Sequence, residues 1–197
     1  MVGKLSVKKE IRIIGFDDAP FRFGQEKTRI IGTVFRGGLW LDGLITSHVV
    51  VDGTDSTRRI VESVIGSAHM EQTRIIMLDG ITFGGFNVAD IREINKKTGI
   101  PVIAVVRDRP DMESIKKALE RFPDSEKRWE LISSAGKIHS LGVENPKTGT
   151  VKNICFQKRG IGTRAAQDVL RVSSTRSFIP EPLRVAHIIG KGLGAEK

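Results

Sequence analysis

Two short apolar segments in the middle of the chain restrict the folds that it can adopt. Residues 74–78 (RIIML) and 101–106 (PVIAVV) are compact apolar runs, and Asp79-Gly80 closes the first of them. Runs of this kind are typical of parallel strands that are buried on both faces of a sheet. Between them, residues 88–94 carry apolar side chains at helical spacing, as the crossover between two parallel strands requires. The middle of the chain therefore predicts parallel strands joined by a helix.

The segment before these runs predicts antiparallel strands. Residues 11–16, 29–36 and 39–51 are rich in β-branched and apolar side chains, and Gly37-Gly38 supplies a tight hairpin between the last two. An antiparallel three-strand meander followed by parallel strands, with helices on both faces of a mixed sheet, resembles the α/β architecture called ribonuclease H-like. The chain has no internal repeat and no linker-like segment, so residues 1–197 are predicted to form a single domain of this type.

The C-terminal third has weaker patterns. Residues 112–122 and 163–172 have helical spacing, residues 129–132 fit either a helix or a strand, and residues 152–156 suggest an edge strand. Pro180-Glu181-Pro182 opens a last short helix over residues 183–189, because proline costs little in the first turn of a helix.

The charge and the cysteine content of the chain limit the kinds of protein that it can be. The chain has 32 Lys and Arg against 23 Asp and Glu, which gives a net charge of +9 at pH 7. Such an excess attracts phosphates, although a solvated basic surface explains it equally well. Cys155 is the only cysteine, which excludes an internal disulfide and a cysteine-based zinc site. No apolar run approaches the roughly 20 residues of a membrane span and no apolar stretch follows the basic N-terminus, so we expect a cytoplasmic protein without a membrane partner.

Acidic residues occur where the predicted strands end. Asp17 and Asp18 end the first strand, Asp55 opens the first helix, and Asp79 ends a buried strand. Functional residues of α/β sheets gather at the carboxyl ends of strands, so these acids are expected to converge. Clustered carboxylates favour a hard cation such as Mg²⁺, and two such ions could direct water at a phosphodiester. Each acid also has an ordinary interpretation, as a turn residue at Asp18 and Asp79 or as a helix cap at Asp55.

Four motifs resemble those of endonuclease V in order and spacing, and together they span most of the chain. Residues 180–187 (PEPLRVAH) look like its closing Pro-Glu-Pro-x-Arg-x-Ala-His motif, and residues 15–18 (GFDD) match the strand with its first catalytic Asp. Asp79-Gly80 and residues 101–105 (PVIAV) resemble its third metal-binding acid and the strand that follows. Residues 15–21 (GFDDAPF) also match the Gly-Phe-Asp-Asp-x-Pro-Phe hallmark of endonuclease dU, a divergent archaeal branch of that group.

The resemblance implies an enzyme that nicks DNA at deoxyuridine, the product of cytosine deamination, with Mg²⁺ or Mn²⁺ as cofactor. It implies that Asp17, Asp55 and Asp79 hold the metal, with Asp55 standing where endonuclease V has a Glu. The alignment at Asp55 needs a short gap, so Glu62 is a second choice for that acid. His187 is implied to face the metal and to position water or phosphate, which completes the catalytic set, and a structural histidine on a helix is the alternative.

A set of substrate-binding residues is expected beside this metal site, namely Asp18, Gly84, Gly85, Phe86, Arg107 and Arg184. Residues 81–87 (ITFGGFN) lack the His and Arg that endonuclease V carries after its third acid. Endonuclease V also has a wedge segment rich in Tyr, Ile and Pro, whereas this chain contains no Tyr. Base choice should therefore differ from the inosine preference of endonuclease V. The Gly pair would let backbone N–H groups approach a uracil edge, with Phe86 beside it unless that ring is a core residue. Arg107 stands where endonuclease V has a Lys, and a surface arginine is the alternative.

DNA that contains deaminated bases is the expected partner, and a replication clamp is a further one. Basic residues expected to follow the DNA backbone, unless they are only solvated, are Lys8, Lys9, Lys152, Lys158, Arg159 and Arg164. Two other functions stay open. One is a nucleic-acid-binding protein that has kept the fold without catalysis, and the other is a nuclease that acts on RNA.

Overall fold

A computed structural model describes residues 7–145 and 148–194. The strands are β1 (Arg12–Asp18), β2 (Lys27–Arg36), β3 (Trp40–Val50), β4 (Ile75–Asp79), β5 (Thr82–Phe83), β6 (Asn87–Val88), β7 (Val102–Val106), β8 (His139–Glu144) and β9 (Val151–Arg159). The α-helices are α1 (Ser56–Ile65), α2 (Ile91–Thr98), α3 (Met112–Leu119), α4 (Ser125–Ser134), α5 (Thr163–Ser173) and α6 (Glu181–Gly194). None of the helices in these ranges is long and apolar enough to cross a bilayer.

Seven strands form one mixed sheet in the order β3-β2-β1-β4-β7-β9-β8. β1, β2 and β3 pair antiparallel, which confirms the predicted meander, and β1, β4 and β7 pair parallel as the apolar runs predicted. β9 lies between β7 and β8 and pairs antiparallel with both. The prediction of an edge strand at residues 152–156 is therefore wrong, because β8 covers the outer side of β9. Residues 129–132 lie in helix α4.

Helices cover both faces of the sheet, as predicted. Alternate residues of the central strands pack against α5 and α6 on one face, which we call the α6 face, with Ile13, Met77 and Val105 in its core. The residues between them pack against α1 and α2 on the α1 face, where Phe16 and Leu78 are fully buried. The period of two along each strand therefore decides which face each strand-end side chain reaches. We call the end of the sheet at which β1, β4 and β7 finish the carboxyl edge.

A buried arginine ties two loops together beside the carboxyl edge on the α1 face. Arg128 of α4 is 6% exposed, and its guanidinium donates hydrogen bonds to the carbonyl oxygens of Asp52, Gly53 and Phe86. Its Nε atom lies 2.7 Å from the carboxylate of Asp124. One side chain thus satisfies three backbone acceptors of the β3–α1 loop and of the β5–β6 hairpin.

Candidate active site

The register of β1 and β4 brings two acids together at the carboxyl edge. Phe16 pairs with Leu78 in the parallel ladder, so Asp17 and Asp79 follow side by side one residue later. Asp17 alternates with Phe16 and therefore points to the α6 face, and Asp79 does the same because it alternates with Leu78. The two buried strands thus deliver two carboxylates to one place.

Helix α6 adds a histidine to these acids. The helix begins tightly against β1, where a Cβ atom built on Gly15 would lie 2.5 Å from the Cβ atom of Pro182. This close approach places the Nδ1 atom of His187 2.8 Å from Oδ2 of Asp17. Ligand atoms of Asp17, Asp79 and His187 all lie within 4.8 Å of one another, the only such group of three acidic, His or Cys side chains among residues 7–145 and 148–194.

The electrostatics of this group favour a bound cation. Burial, followed by the charges of Asp79 and Asp18, raises the pKa of Asp17 to about 8, against smaller opposite effects of the N–H of Asp18 and of Arg107. Burial also raises the pKa of Asp79 and of Asp18. Like charges gathered at a buried edge repel one another, so ionising all three requires positive charge nearby. A divalent cation supplies that charge.

The donor set fits such a cation. Two carboxylates on adjacent strand ends offer the oxygen ligands that hard divalent ions take in proteins. His187 offers a nitrogen, but its Nδ1 atom is already at hydrogen-bond distance from Asp17. A group that holds a carboxylate ligand in this way fixes its orientation, as partners of metal ligands generally do.

The raised pKa of Asp17 predicts how stability depends on pH in EDTA. An acid with a raised pKa in the folded state keeps a proton that the unfolded chain has lost, so it destabilises the fold progressively as the pH rises from about 4 to about 8. We expect wild type to lose unfolding free energy relative to Asp17→Asn across this window, by up to about 1.4 kcal/mol per pH unit. Urea unfolding of both proteins between pH 5 and pH 9 measures the difference, and parallel pH profiles would contradict it.

Asp55 does not join this group, contrary to the expected cluster of three acids. It is the N-terminal flanking residue of α1 on the α1 face, whereas Asp17 and Asp79 point to the α6 face. Its Oδ1 atom accepts hydrogen bonds from the N–H of Val50 and from the side-chain amide of Asn87, and its Oδ2 atom accepts one from Arg59. These partners lower the pKa of Asp55 against the effect of its burial. The side chain ties the end of β3 to the hairpin, and no helix-capping hydrogen bond is formed.

Glu62, the second choice for that acid, lies outside the group as well. Its carboxylate is about half exposed on α1 and forms ion pairs with Arg58 and Arg59. A surface position of this kind leaves Asp17 and Asp79 as the two carboxylates of the group.

The β5–β6 hairpin reaches the site through Asp18. The N–H of Gly84 donates a hydrogen bond of 2.8 Å to Oδ2 of Asp18, which ends β1 beside Asp17. Gly84 and Gly85 both have positive φ, and a Cβ atom on Gly85 would lie 2.3 Å from Asp52. The sequence therefore needs glycine here for the turn itself. Phe86 packs edge-on against Phe122, with ring centroids 5.8 Å apart.

Two arginines and a lysine border a cavity of about 320 Å³ that opens beside Asp79 and His187. Arg107 follows β7 directly and is close enough to Asp17 and Asp79 to lower the pKa of both. Lys152 lines the same cavity, and Arg184 does so while it holds the buried Glu181 in a two-point ion pair. The remaining cations expected to follow DNA do not share this edge. Lys158 and Arg159 pair with the first residues of β7, at the opposite end of the sheet.

Comparison with known proteins identifies the family of the chain. The sequence profile of endonuclease dU matches residues 9–194. The chain belongs to the endonuclease dU family. Among its relatives, a UPF0215 protein of Methanothermobacter thermautotrophicus is 53% identical over 189 residues, which cover 95% of this chain and 89% of the relative. A UPF0215 protein of Pyrococcus furiosus is 40% identical over 190 residues, covering 95% and 94%.

Solved structures with the same fold are found as well. The crystal structure of a protein of unknown function from Archaeoglobus fulgidus is 31% identical, with a TM-score of 0.81 over 93% of this chain and 98% of that one. Endonuclease V of Ciona intestinalis, solved with an inosine-containing DNA, is 14% identical with a TM-score of 0.56, over 89% and 82%. The identity to endonuclease V is low, so this likeness shows the shared mixed-sheet architecture, and family and fold together support a nuclease.

Proposed function

We propose that this member of the endonuclease dU family is a metal-dependent endonuclease that nicks DNA at deaminated bases, chiefly deoxyuridine, as a single nuclease domain acting in DNA repair. The observation that carries the proposal is the convergence of Asp17, Asp79 and His187 at the carboxyl edge, with Arg107 beside them. The expected replication clamp and a cytoplasmic location stay predictions. Asp17 and Asp79 would hold the ion, and Mg²⁺ or Mn²⁺ suits their oxygen ligands.

A bound divalent ion lowers the pKa of a coordinated water and stabilises charge on phosphate oxygens. The protein's own residues prepare the site for this chemistry. Asp17 and Asp79 are held on two rigid buried strands, so their separation is fixed before substrate arrives. His187 is held through Nδ1 by Asp17, which leaves Nε2 to bind a water or a phosphate oxygen and to exchange a proton with it.

Arg107 supplies positive charge next to the acids, and we propose that it binds the phosphate undergoing cleavage. Replacing Arg107 with Ala should lower the cleavage rate about 10²- to 10³-fold, because a fixed donor to developing negative charge is worth that much. Arg107→Lys should recover part of the loss, since Lys keeps the charge without the planar two-point donor. Single-turnover rates on a uracil duplex measure both variants, and an Arg107→Ala rate within threefold of wild type would remove Arg107 from this role.

The hairpin at residues 82–88 is the segment that we propose to meet the damaged base. Gly84 is tied to Asp18, the neighbour of Asp17 in the chain, so the glycine pair lies beside the end of β1. A mismatched base such as uracil opposite guanine has already lost pairing energy, which lowers the cost of turning it out of the helix. The N–H and carbonyl groups of Gly84 are already hydrogen-bonded to Asp18 and Asp52, so we propose that the backbone of Gly85 hydrogen-bonds to the uracil edge, without a side chain in between.

The proposal is tested with end-labelled duplexes that contain uracil, hypoxanthine or no lesion, and with the matching RNA, each in Mg²⁺, Mn²⁺ or EDTA. We expect nicking of the uracil duplex only with a divalent ion. Glu62→Gln is the matched control because it neutralises an exposed acid outside the group, and it should cleave like wild type. DNA binding without scission would contradict the proposed activity and indicate a non-catalytic binding protein. Scission of RNA alone would contradict the proposed DNA substrate.

A further inference from the structure

We propose that a second cavity at the carboxyl edge, lined by Arg22, Lys27, Arg29 and His48, binds a backbone phosphate of the DNA strand beside the one that is cut. We call it the cationic cavity. Its volume is about 380 Å³, and no Asp or Glu is among its lining residues. The inference rests on the proposed function and adds the route by which the DNA strand crosses the protein.

The cationic cavity lies on the same face as the acids. The N–H of Ala19 donates a hydrogen bond of 2.8 Å to the carbonyl of Arg29, and Arg29 pairs with His48 of β3. Ala19 follows Asp17 by two residues and so shares the α6 face. With a rise of ~3.3 Å per residue and ~4.8 Å between strands, the Cα atoms of Arg29 and Asp17 are roughly 8 Å apart. An arginine there could reach a phosphate close to one bound by an ion that Asp17 would hold.

Helix α6 connects the cavity with the acids. His187, in the middle of the helix, contacts Asp17, and the last turn closes one wall of the cavity through Leu193 and Gly194. A Cβ atom on Gly194 would lie 3.1 Å from the carbonyl oxygen of Pro20, so this turn fits closely against the chain that follows β1. The same helix therefore borders both places at which phosphate groups are proposed to bind.

The cations of the cavity lack the partners that other arginines of the chain have. Arg12, Arg36, Arg59 and Arg184 are all held by carboxylates within 4.0 Å. For Arg22 and Arg29 the described parts of the chain offer no carboxylate within that distance. Lys27 meets only Glu26, at 3.8 Å between two well-exposed side chains. Gathering unpaired cations around one cavity costs repulsion, which an anion relieves, and guanidinium groups match phosphate in geometry as well as charge.

The positions of the cations define a path for the strand. In the sheet order, the cationic cavity lies at β2 and β3, the acids lie at β1 and β4, and Arg107 follows β7. A strand that crosses the carboxyl edge from β3 towards β7 would therefore meet cations on both sides of the acids. Phosphate contacts of this kind hold the position of the strand without reading its sequence.

The test compares Arg22→Ala/Arg29→Ala with Arg74→Ala/Lys96→Ala. The control pair removes the same charge from exposed positions before β4 and in the last turn of α2, away from the carboxyl edge. Dissociation constants of each double variant for a uracil duplex are measured by fluorescence anisotropy in EDTA over a series of salt concentrations. Thermal unfolding confirms that both variants fold.

Loss of two phosphate contacts should raise the Kd about tenfold at 0.1 M salt and reduce the slope of log K against log salt by about 1.8, with little change in the control. Equal slopes for the cavity variant and wild type would overturn the inference, as would failure of wild type to bind DNA. If wild type binds DNA, and the cavity variant shows the expected change of slope, but wild type never cleaves, the phosphate site is supported and the endonuclease activity is not.

Discussion

The Asp79→Asn variant is expected to lose cleavage of uracil-containing DNA by about 10³-fold or more, since it removes a charged ligand from a metal that supplies several kcal/mol of transition-state stabilisation. Asp79 is paired in register with Asp17 on a buried strand, so no other side chain of the strand can take its place. DNA affinity should stay within about twofold, because phosphate contacts depend on cations that the change leaves intact. Single-turnover kinetics and anisotropy measure the two effects separately.

Metal binding gives a readout that does not depend on cleavage. Mg²⁺ or Mn²⁺ at about 100 times its Kd should stabilise the wild-type fold by about 2.7 kcal/mol, and Asp79→Asn should lose this stabilisation. Glu62→Gln, which neutralises an exposed acid on α1, should keep it. Asp79→Asn with wild-type cleavage and a wild-type thermal shift would exclude Asp79 from the metal site and with it the mechanism proposed above.

Replacing Arg128 with Ala should lower the free energy of unfolding by about 3 kcal/mol, because each buried acceptor that loses its donor costs about 1–3 kcal/mol. The substitution leaves the carbonyl groups of Asp52, Gly53 and Phe86 without their donor and leaves the carboxylate of Asp124 without its nearest cation. It also removes the guanidinium carbon that lies 4.4 Å from the ring centroid of Phe122. Urea unfolding monitored by tryptophan fluorescence gives the value.

Arg121→Ala is the matched control for this prediction. Arg121 is a largely exposed neighbour that also lies over Phe122 and reaches Asp52 only at 3.6 Å. Exposed pairs of this kind contribute about 0–1 kcal/mol. A loss below 1 kcal/mol for Arg128→Ala would mean that water takes over its hydrogen bonds and that the two loops do not depend on it.

Much of the fold could be predicted from the sequence because its signals are local. The apolar runs at β4 and β7 and the glycine pair between β2 and β3 each determine their own structure. The position of β9 could not be predicted in this way, since pairing with β7 and β8 depends on residues distant in the chain. Its apolar content fits an edge strand and an interior strand equally well.

The residues of the candidate site likewise differ in whether a local sequence signal could predict their positions. Asp17 and Asp79 could be placed together because strand-end acids on adjacent parallel strands meet at one edge. Asp55 shares the strand-end signal, but the start of α1 lies on the other face of the sheet, which a rule about edges does not distinguish. His187 was identified only through the resemblance, because nothing in its helical spacing indicates that α6 rests on β1.

Arg128 and the cationic cavity carried no recognisable sequence signal. Arg128 stands among polar residues of a helix and resembles any solvated arginine, and the three carbonyl groups that it binds lie between 42 and 76 residues away. The cavity residues come from a loop, two strands and the end of the last helix. Only the pairing of Arg29 with His48 and the docking of α6 bring them together.

The contact between Gly15 and Pro182 links the two motifs by which the family is recognised. The absent side chain at position 15 sets how deep the proline ring sinks, and that depth sets the reach of His187 towards Asp17. A methyl group at position 15 would displace the beginning of α6 from β1. The imidazole of His187 would then move away from Asp17. Positions 15 and 182 must therefore change together or stay as they are, although Gly15 and the helix start at Glu181 are 166 positions apart in the chain.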